Sequence, residues 1–338
     1  MKHRLRFEPE ELLAGHSVVR QDEVDGHRFH GGFDKAGRYR SPRTLWRRPA
    51  IANWTKQLKA EGGALLPVPA SLFDAPQYPT VSQQALLIRH GITRPFYDAL
   101  TATAEVERKA GELRGMSGPD FSQLVRAPLE ERAVGHLDRG LLAAHGMDEG
   151  GDLARPDLGA HDAMWIVARD LLFDVEPIQR QRPFVTEANV VSGLLDRRFP
   201  EITLAIEFSL RFFMNVLLGE IRAELMFGFC DALLSRTDIF GDRPEARRDA
   251  RQLIGRIRRD EIAHVGYLRV MLSELRAMDW HGENGRFPGE RVIDPMWAMM
   301  VEHHRTLEIE AASARNAALL PLVAESPSLN LSDYLAAA

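Results

Sequence analysis

The hydrophobic positions between residues 247 and 278 recur at the spacing of one helix face. Steps of four, four, three, four, three and four residues separate Leu253, Ile257, Glu261, His264, Leu268, Met271 and Leu275. This period places all of them on one side of an α-helix. Glu261 and His264 are the polar members of that stripe, so the pattern predicts that both face the interior. Burying such groups costs several kcal/mol unless they are paired or bound to a metal.

A second long helix is predicted between residues 202 and 236, where no proline interrupts the chain. Apolar side chains occur nearly all round it, which is typical of a helix covered on most sides. Glu207, Glu220 and Glu224 interrupt this apolar run. Glu207 has Arg211 four residues on, so an ordinary ion pair accounts for it.

Glu220 and Glu224 share one face of this second helix, about 40° apart. Like charges at this spacing repel each other, and the repulsion is stronger in a low-dielectric interior. A cation would relieve it. Arg258 and Arg259 could supply the charge, but a bound metal ion would also account for the imidazole of His264. We therefore interpret both glutamates as candidate metal ligands.

Further helices are predicted earlier in the chain, and two of them carry candidate ligands. The helix that begins at Pro95 places Glu107 towards the interior. The next runs from about residue 128 to Gly146 and has His136 on its contact face. His145, one residue before that end, is interpreted as an imidazole at the negative end of the helix dipole.

A third short helix is predicted from about residue 160 to residue 175, after a loop rich in Gly and Asp at 148–159. His161 starts it and is a further candidate nitrogen ligand. Residues 177–200 contain several prolines and a glycine and could form either a lid or a simple connector. Tyr267, beyond His264, is interpreted as a phenol at the edge of the bundle with its hydroxyl in water.

The first 80 residues have a different character, with many glycines and prolines. Short strands are predicted between Val24 and Tyr39, and a helix from Ile51 to Ala60. We interpret residues 1–80 as an irregular N-terminal appendage on a helical bundle domain of residues 81–338, with the metal site within about 95–280. The arginines and lysines of this appendage, Arg43 and Arg47 among them, are interpreted as a solvated surface.

Composition narrows the class of protein. The chain has 338 residues, 45% of them hydrophobic, and a formal net charge of -5, which gives no electrostatic reason to expect a nucleic-acid or membrane partner. Its single cysteine, Cys230, excludes an intramolecular disulfide framework and a thiolate zinc cluster. No signal peptide or membrane span is predicted, so we expect a cytoplasmic protein.

Taken together, these residues resemble the ferritin-like superfamily of di-iron and di-manganese carboxylate proteins. In that superfamily each half of a four-helix bundle supplies a lone glutamate and a Glu-x-x-His pair. Glu261 and His264 resemble the second such pair, with Glu224 or Glu220 as its lone glutamate. Glu107 and His136 resemble part of the first half. The haem-oxygenase-like di-iron oxidases, whose ligand order differs, are also similar in general terms.

The first half departs from that motif, because Ala133 stands where its Glu-x-x-His needs a glutamate. Three explanations stay open. Glu220 could replace the missing bridging carboxylate, His161 could add a nitrogen ligand, or the site could hold one tightly bound metal.

The resemblance implies a mainly α, ferritin-like bundle that binds two iron ions, or manganese, with dioxygen as co-substrate. The expected activity is hydroxylation, desaturation or N-oxygenation of a small apolar or aromatic metabolite. An electron-donor protein and a homodimer are compatible with it. The alternatives are a metal-binding protein without catalysis and a metal-free helical module held by an ion network with Arg258 or Arg259.

Overall fold

The computed structural model describes residues 4–75, 77–181, 184, 197–282 and 285–338, and the protein is mainly α-helical in this part. Its helices are α1 (Pro9–Leu12), α2 (Arg47–Ala60), α3 (Val81–Arg89), α4 (Arg94–Ala110), α5 (Leu142–Gly150), α6 (His161–Leu172), α7 (Val175–Gln179), α8 (Leu204–Leu234), α9 (Pro244–Ala277), α10 (Glu290–Ala324) and α11 (Leu331–Ala336). Its strands are β1 (Arg20–Val24), β2 (His27–Phe33), β3 (Tyr39–Arg40), β4 (Asp279–Gly282) and β5 (Gly285–Pro288). None of the described helices is long and apolar enough to cross a membrane.

The two long helices predicted from periodicity are α8 and α9, and their bounds confirm the prediction. Thr203 caps α8, where its hydroxyl accepts a hydrogen bond from the Ile206 backbone nitrogen at 3.3 Å. Pro244 occupies the first turn of α9, where its missing N–H costs nothing. Glu207 pairs with Arg211 inside α8, as expected from their spacing. These helices pack against each other and form the frame of the molecule.

Two hydrophobic clusters divide this frame along its length. The first cluster includes Leu217 of α8 and Met271 of α9 and extends to α2 and α10. The second includes Leu233 of α8 and Ile257 of α9 and extends to α4 and α6. The stretch of α9 between the two clusters carries three buried polar side chains, Asp260, Glu261 and His264.

The N-terminal region confirms the predicted strands and helix. Strands β1, β2 and β3 form an antiparallel sheet in that order, and α2 begins four residues before the predicted start at Ile51. Trp54 and Leu58 of α2 belong to the same hydrophobic cluster as the C-terminal half of α9. This region therefore contributes to the main core.

The predicted helix from residue 128 to Gly146 is wrong. Short 3₁₀ turns and a π turn occupy residues 129–141, and the α-helix that follows runs from Leu142 to Gly150. Gly140, at φ 116°, breaks the helical path. Gly146 does not end α5; it lets α5 approach the chain at Gly111 and Arg114, where an added Cβ would overlap the Arg114 backbone nitrogen.

The segment predicted as a lid or connector is described only at its ends. Helix α7 extends to Gln179, and the chain is described again from Arg197. Residues 182–183 and 185–196, which carry most of that prediction, lie outside the described residues.

Candidate metal centre

Seven carboxylate and imidazole side chains from five helices converge between the two hydrophobic clusters. They are Glu107 of α4, His145 and Glu149 of α5, His161 of α6, Glu220 of α8, and Glu261 and His264 of α9. Five of them are almost fully buried. Such a concentration of ionisable groups in an interior needs a compensating charge.

The first of two ligand sets, called subsite A here, consists of His145, Glu149, Glu220 and His264. One ligand atom from each lies within 4.8 Å of all the others. Nε2 of His145 is 2.9 Å from Glu220 Oε1, and Nδ1 of His264 is 3.0 Å from Glu149 Oε1. Two imidazole nitrogens and two carboxylates therefore surround one point.

The second set, subsite B, consists of Glu107, Glu149, His161 and Glu261, whose ligand atoms also lie within 4.8 Å of one another. Nδ1 of His161 is 3.0 Å from Glu261 Oε1 and 3.4 Å from Glu149 Oε1. This set offers one imidazole nitrogen and three carboxylates.

Two carboxylates link the subsites. Glu149 belongs to both sets. Glu261 directs Oε1 to His161 of subsite B and Oε2 to His264 of subsite A, with the latter contact at 2.6 Å. Glu149 and Glu261 therefore contact both subsites and would be available to two metal ions.

Each of the three imidazoles has a separate partner for its outward nitrogen. Asp148 Oδ2 is 3.2 Å from His264 Nε2, and Asp260 Oδ2 is 3.4 Å from His161 Nε2. The Tyr267 hydroxyl is 2.8 Å from His145 Nδ1. When the outward nitrogen donates its hydrogen, the inward nitrogen keeps a free lone pair, which is the arrangement usual for histidines that bind metals.

The N-terminal region holds these outer groups in place. Arg43 donates to Asp148 at 2.7 Å, and the buried Arg47 pairs with the same carboxylate. The Tyr39 hydroxyl donates to Asp260 at 2.9 Å. The prediction that Arg43 and Arg47 belong to a solvated surface is wrong, because both guanidinium groups point inwards to a buried acid.

A further group of possible ligands, His30, His161 and Asp260, overlaps the outer layer of subsite B. It would use the His161 nitrogen that faces Asp260. Nδ1 of His30 lies 3.2 Å from an Arg43 nitrogen, so a cation here would sit beside a guanidinium. We therefore assign these residues to the support of His161.

The protonation pattern of the cluster reflects its burial. Burial, reinforced by the neighbouring carboxylates, raises the pKa values of Glu107 and Glu220 well above the usual range. Burial would also raise that of Glu261, but the adjacent imidazoles of His264 and His161 help lower its pKa to about 2. Glu149 is likewise held well below its usual pKa, chiefly by His161.

The imidazoles follow the same physics. Burial opposes the charged form of His161 and His264, but the adjacent carboxylates outweigh it and raise both pKa values well above the usual range. Burial and the stacked His264 ring lower the pKa of His145 to about 3. Without a metal, the raised pKa values favour the protonated forms of Glu107, Glu220, His161 and His264, and protonation reduces the excess negative charge of the cluster.

Arg258 and Arg259, the two arginines that the sequence offered as counter-charges, lie outside the cluster. Arg258 donates to Glu224 at 2.9 Å, outside the cluster. The Arg259 guanidinium lies over the Tyr39 ring, 5.7 Å from its centroid. Of the ion network that the sequence offered as an alternative, the Arg258–Glu224 pair forms, but among the described residues neither arginine pairs with Glu220 or Glu261.

Three buried atoms at the junction of the subsites lack a hydrogen bond of acceptable geometry. They are Glu149 Oε1, His161 Nδ1 and Glu261 Oε1. Their separations of 3.0 and 3.4 Å are short enough for hydrogen bonds, but the angles are not suitable. Buried groups left in this way need a further partner, and a cation among them would provide it.

Five of the seven predicted ligands lie in this cluster: Glu107, His161, Glu220, Glu261 and His264. Two do not. The Glu224 side chain is 50% exposed and pairs with Arg258. His136 packs against Trp54, with 4.7 Å between ring centroids, and its Nδ1 lies 2.7 Å from the Arg132 carbonyl oxygen.

These two placements have simple physical reasons. Glu224 follows Glu220 by one turn, and the 40° offset between them turns it from the interior to the rim of the α8–α9 pair. His136 lies in a 3₁₀ turn before α5, so its predicted helical face does not exist.

His145 and Glu149 are the candidate ligands that sequence reasoning missed. Ending the helix at Gly146 put His145 at a helix terminus and Glu149 in a loop, whereas both lie on one face of α5. The signal was present, since an imidazole and a carboxylate four residues apart suit a shared metal. Tyr267 was also misplaced: it is fully buried, and its hydroxyl contacts His145.

A groove on the outer face of the α8–α9 pair reaches this cluster. Its volume is about 430 Å³, and Glu220 and Glu261 lie in its floor. Most of the other lining side chains are apolar, from α2, the loop after α2, α8 and α9: Ile51, Leu65, Val68, Phe73, Ile221, Phe227, Ile262 and Val265. A small apolar molecule in the groove would contact one ligand from each subsite.

Comparison with family models, with curated proteins and with solved structures finds no match to this chain. The residues and their geometry are therefore what define the site.

Proposed function

We propose that the protein is a non-haem di-iron oxidase or oxygenase that uses dioxygen to oxidise a small apolar or aromatic metabolite. The observation that carries this proposal is the pair of subsites sharing Glu149 and spanned by Glu261. Four carboxylates and three imidazoles are grouped so that each subsite has its own nitrogen ligand. A single-metal site would not need two bridging carboxylates.

The ligand chemistry favours iron or manganese. Carboxylate oxygens and imidazole nitrogens suit Fe(II) and Mn(II), and the set contains no thiolate. His145, Glu220 and His264 would hold one ion, and Glu107 and His161 the other, with Glu149 and Glu261 between them. Iron bound there would supply the electrons for the reduction of dioxygen.

The protein's own residues would fix this chemistry in place. Asp148, Asp260 and Tyr267 orient the three imidazoles, and Trp165 donates a hydrogen bond to Glu107 at 2.9 Å. Such outer partners limit the rotation of ligands and keep them basic. The apolar groove would exclude water and orient a substrate beside Glu220.

The arrangement supports the resemblance to the ferritin-like carboxylate proteins with one alteration. Glu107 and Glu220 would take the places of the lone glutamates, and Glu261 with His264 would be one Glu-x-x-His pair. In the other half, His145-x-x-x-Glu149 replaces the expected motif, and His161 of α6 supplies the nitrogen of subsite B. The ferritin-like class, a cytoplasmic location and an electron-donor partner are parts of this proposal.

One observation favours a second candidate, a helical protein without metal. The raised pKa values of two glutamates and two histidines favour their protonated forms, which would reduce the repulsion within the cluster without a cation. This candidate predicts no stoichiometric metal and no effect of chelators on the melting temperature.

The decisive experiment is metal analysis combined with oxygen consumption. Protein produced with added iron, and separately with manganese, is analysed for metal per chain, and the Fe(II)-loaded form is exposed to dioxygen. We expect about two ions per chain and oxygen uptake, as for two-metal sites. The double variant Glu261→Ala, His264→Ala should lose most of the metal. Full metal content in that variant would overturn the proposed site; two bound ions without oxygen uptake would leave a metal-binding protein without this activity.

A further inference from the structure

The groove above the metal cluster contains two arginines in different states. Arg258 is neutralised by Glu224, with Nε donating at 2.9 Å. Arg269 also lines the groove but forms no ion pair with any described acidic residue. The groove therefore has one uncompensated cation.

Arg269 is nevertheless held in position. Its Nε donates to the Leu66 carbonyl oxygen at 2.7 Å. The Leu66 N–H donates to Ser273 Oγ at 2.8 Å, and that hydroxyl donates to the Arg269 carbonyl oxygen at 2.6 Å. This small network fastens the loop after α2 to α9. It uses only Nε, so both terminal nitrogens of the guanidinium have no hydrogen-bond partner among the described residues.

The spacing along α9 relates this cation to the metal cluster. Arg269 follows Glu261 by two helical turns, which corresponds to about 12 Å along the helix axis. Val265 and Gly266 lie between them and form an apolar part of the groove. A ligand that joined both ends would therefore need an apolar body of roughly that length.

We propose that the groove binds an amphipathic organic acid, whose carboxylate pairs with Arg269 and whose apolar end lies beside Glu220 and Glu261. A guanidinium with two free terminal nitrogens matches the two oxygens of a carboxylate. The inference deepens the proposed function, since it names the substrate class of that site. A multiply charged phosphate ester fits less well, because Glu220, Glu224 and Glu261 also line the groove.

The test measures binding to metal-free protein, so it does not depend on oxidation. Octanoate and phenylacetate are titrated calorimetrically beside their uncharged amides, octanamide and phenylacetamide. We expect at least one acid to bind about tenfold more tightly than its amide. Comparison of the two acids distinguishes an alkyl from an aryl substrate.

Four variants test whether the preference for acid over amide depends on Arg269. Arg269→Gln should abolish the preference for acid over amide, and Arg269→Lys should keep part of it. Val265→Phe, which fills the groove, should weaken the binding of acid and amide alike. Arg248→Gln, on the exposed part of α9 and outside the groove, is the matched control and should change nothing.

Several results would overturn the inference. These are equal affinity for acid and amide in the unaltered protein, no binding of either acid at millimolar concentration, or a preference that survives in Arg269→Gln. If the glutamine variant unfolds, Arg269→Lys is the test, because lysine keeps the charge but not the planar fork. A preference for acid equal to that of the unaltered protein, with unchanged melting, would overturn pairing with the guanidinium fork. Acid binding in a protein that takes up no metal would support the groove and refute the proposed oxidase.

Discussion

The two halves of the candidate metal centre are built in different ways. The α8–α9 half supplies Glu220, Glu261 and His264 from two long helices whose bounds follow from their hydrophobic period. The α4–α5–α6 half supplies its ligands from shorter helices, and α5 has only 9 residues. In the α8–α9 half the candidate ligands lie within a regular stripe. In the α4–α5–α6 half the positions of the candidate ligands depend on how segments distant in sequence pack together.

The glycines of α5 show this difference most clearly. Gly146 and Gly150 face Gly111 and Arg114 so closely that an added Cβ at either position would be too near the other segment's backbone. On α8, an added Cβ at Gly219 or Gly228 would meet nothing within 4 Å. A glycine in a helix can thus serve close packing in one half and have no packing role in the other.

The largest expected effect comes from the shared carboxylate of α5. Glu149→Gln should remove both metals, because Glu149 belongs to both subsites. His145→Ala should chiefly affect subsite A, and His161→Ala subsite B. Metal content per chain measures all three. Retention of two ions in the Glu149 variant would contradict the two-subsite arrangement.

Metal uptake should also release protons from both halves. Glu107 and His161 on one side, and Glu220 and His264 on the other, have raised pKa values in the metal-free protein. Binding requires their deprotonated forms, so metal uptake should release protons and the affinity for metal should fall as the pH is lowered. Calorimetry in buffers of different ionisation enthalpy counts these protons. A count near zero would show that the ligands are already deprotonated.

Gly146→Ala should destabilise the protein by about 2–4 kcal/mol and disturb both subsites, because α5 must move away from Arg114. The matched change on the longer half, Gly219→Ala, should be neutral or stabilising by about 0.5–1 kcal/mol. The free energy of unfolding in denaturant and the metal content per chain are measured for both variants. Equal changes in unfolding free energy for the two variants would contradict the conclusion that close packing requires glycine on α5 but not on α8.

A buried acid joins the two halves and should make stability depend on pH. Glu274 of α9 accepts hydrogen bonds at 3.1 Å from the backbone nitrogens of Ala133 and Val134, before α5. Burial outweighs these bonds and raises the pKa of Glu274 from 4.5 to about 8. Stability from its protonated form is therefore complete below about pH 4.5 and is lost as the pH rises towards 8.

Glu274→Gln should reduce that decline, since glutamine stays neutral throughout. Unfolding free energies of metal-free protein and variant are compared between pH 5 and 8, where one such group contributes up to about 1.4 kcal/mol per pH unit. If the unfolding free energies of the two proteins changed in parallel with pH, Glu274 would be ionised over the whole range.

The smallest effect is expected at the rim of the longer half. Glu224→Gln should keep the full metal content and change stability by less than about 1 kcal/mol, because its ion pair with Arg258 is half exposed. Glu220→Gln, one turn away, is the matched comparison and should weaken subsite A. If Glu224→Gln lost metal and Glu220→Gln did not, Glu224 and not Glu220 would be the metal ligand.

The sequence by itself determined the mainly α class, the two long helices and the inward direction of Glu220, Glu261 and His264. Each of these follows from local periodicity, since a regular helix of thirty residues shows its buried face in the order of its residues. Glu107 and His161 were also found, although the sequence paired Glu107 with His136 and placed Glu224 beside Glu220.

Only the tertiary structure decided the composition of the α4–α5–α6 half and its outer layer. His145 and Glu149 became candidate ligands because α5 continues through Gly146, whose missing Cβ permits close packing against residues 111–114. Asp148 and Asp260 became supports for histidines because residues 39–47 fold back onto them. Periodicity shows which face of a helix is buried, but the groups that meet that face depend on contacts between segments distant in sequence.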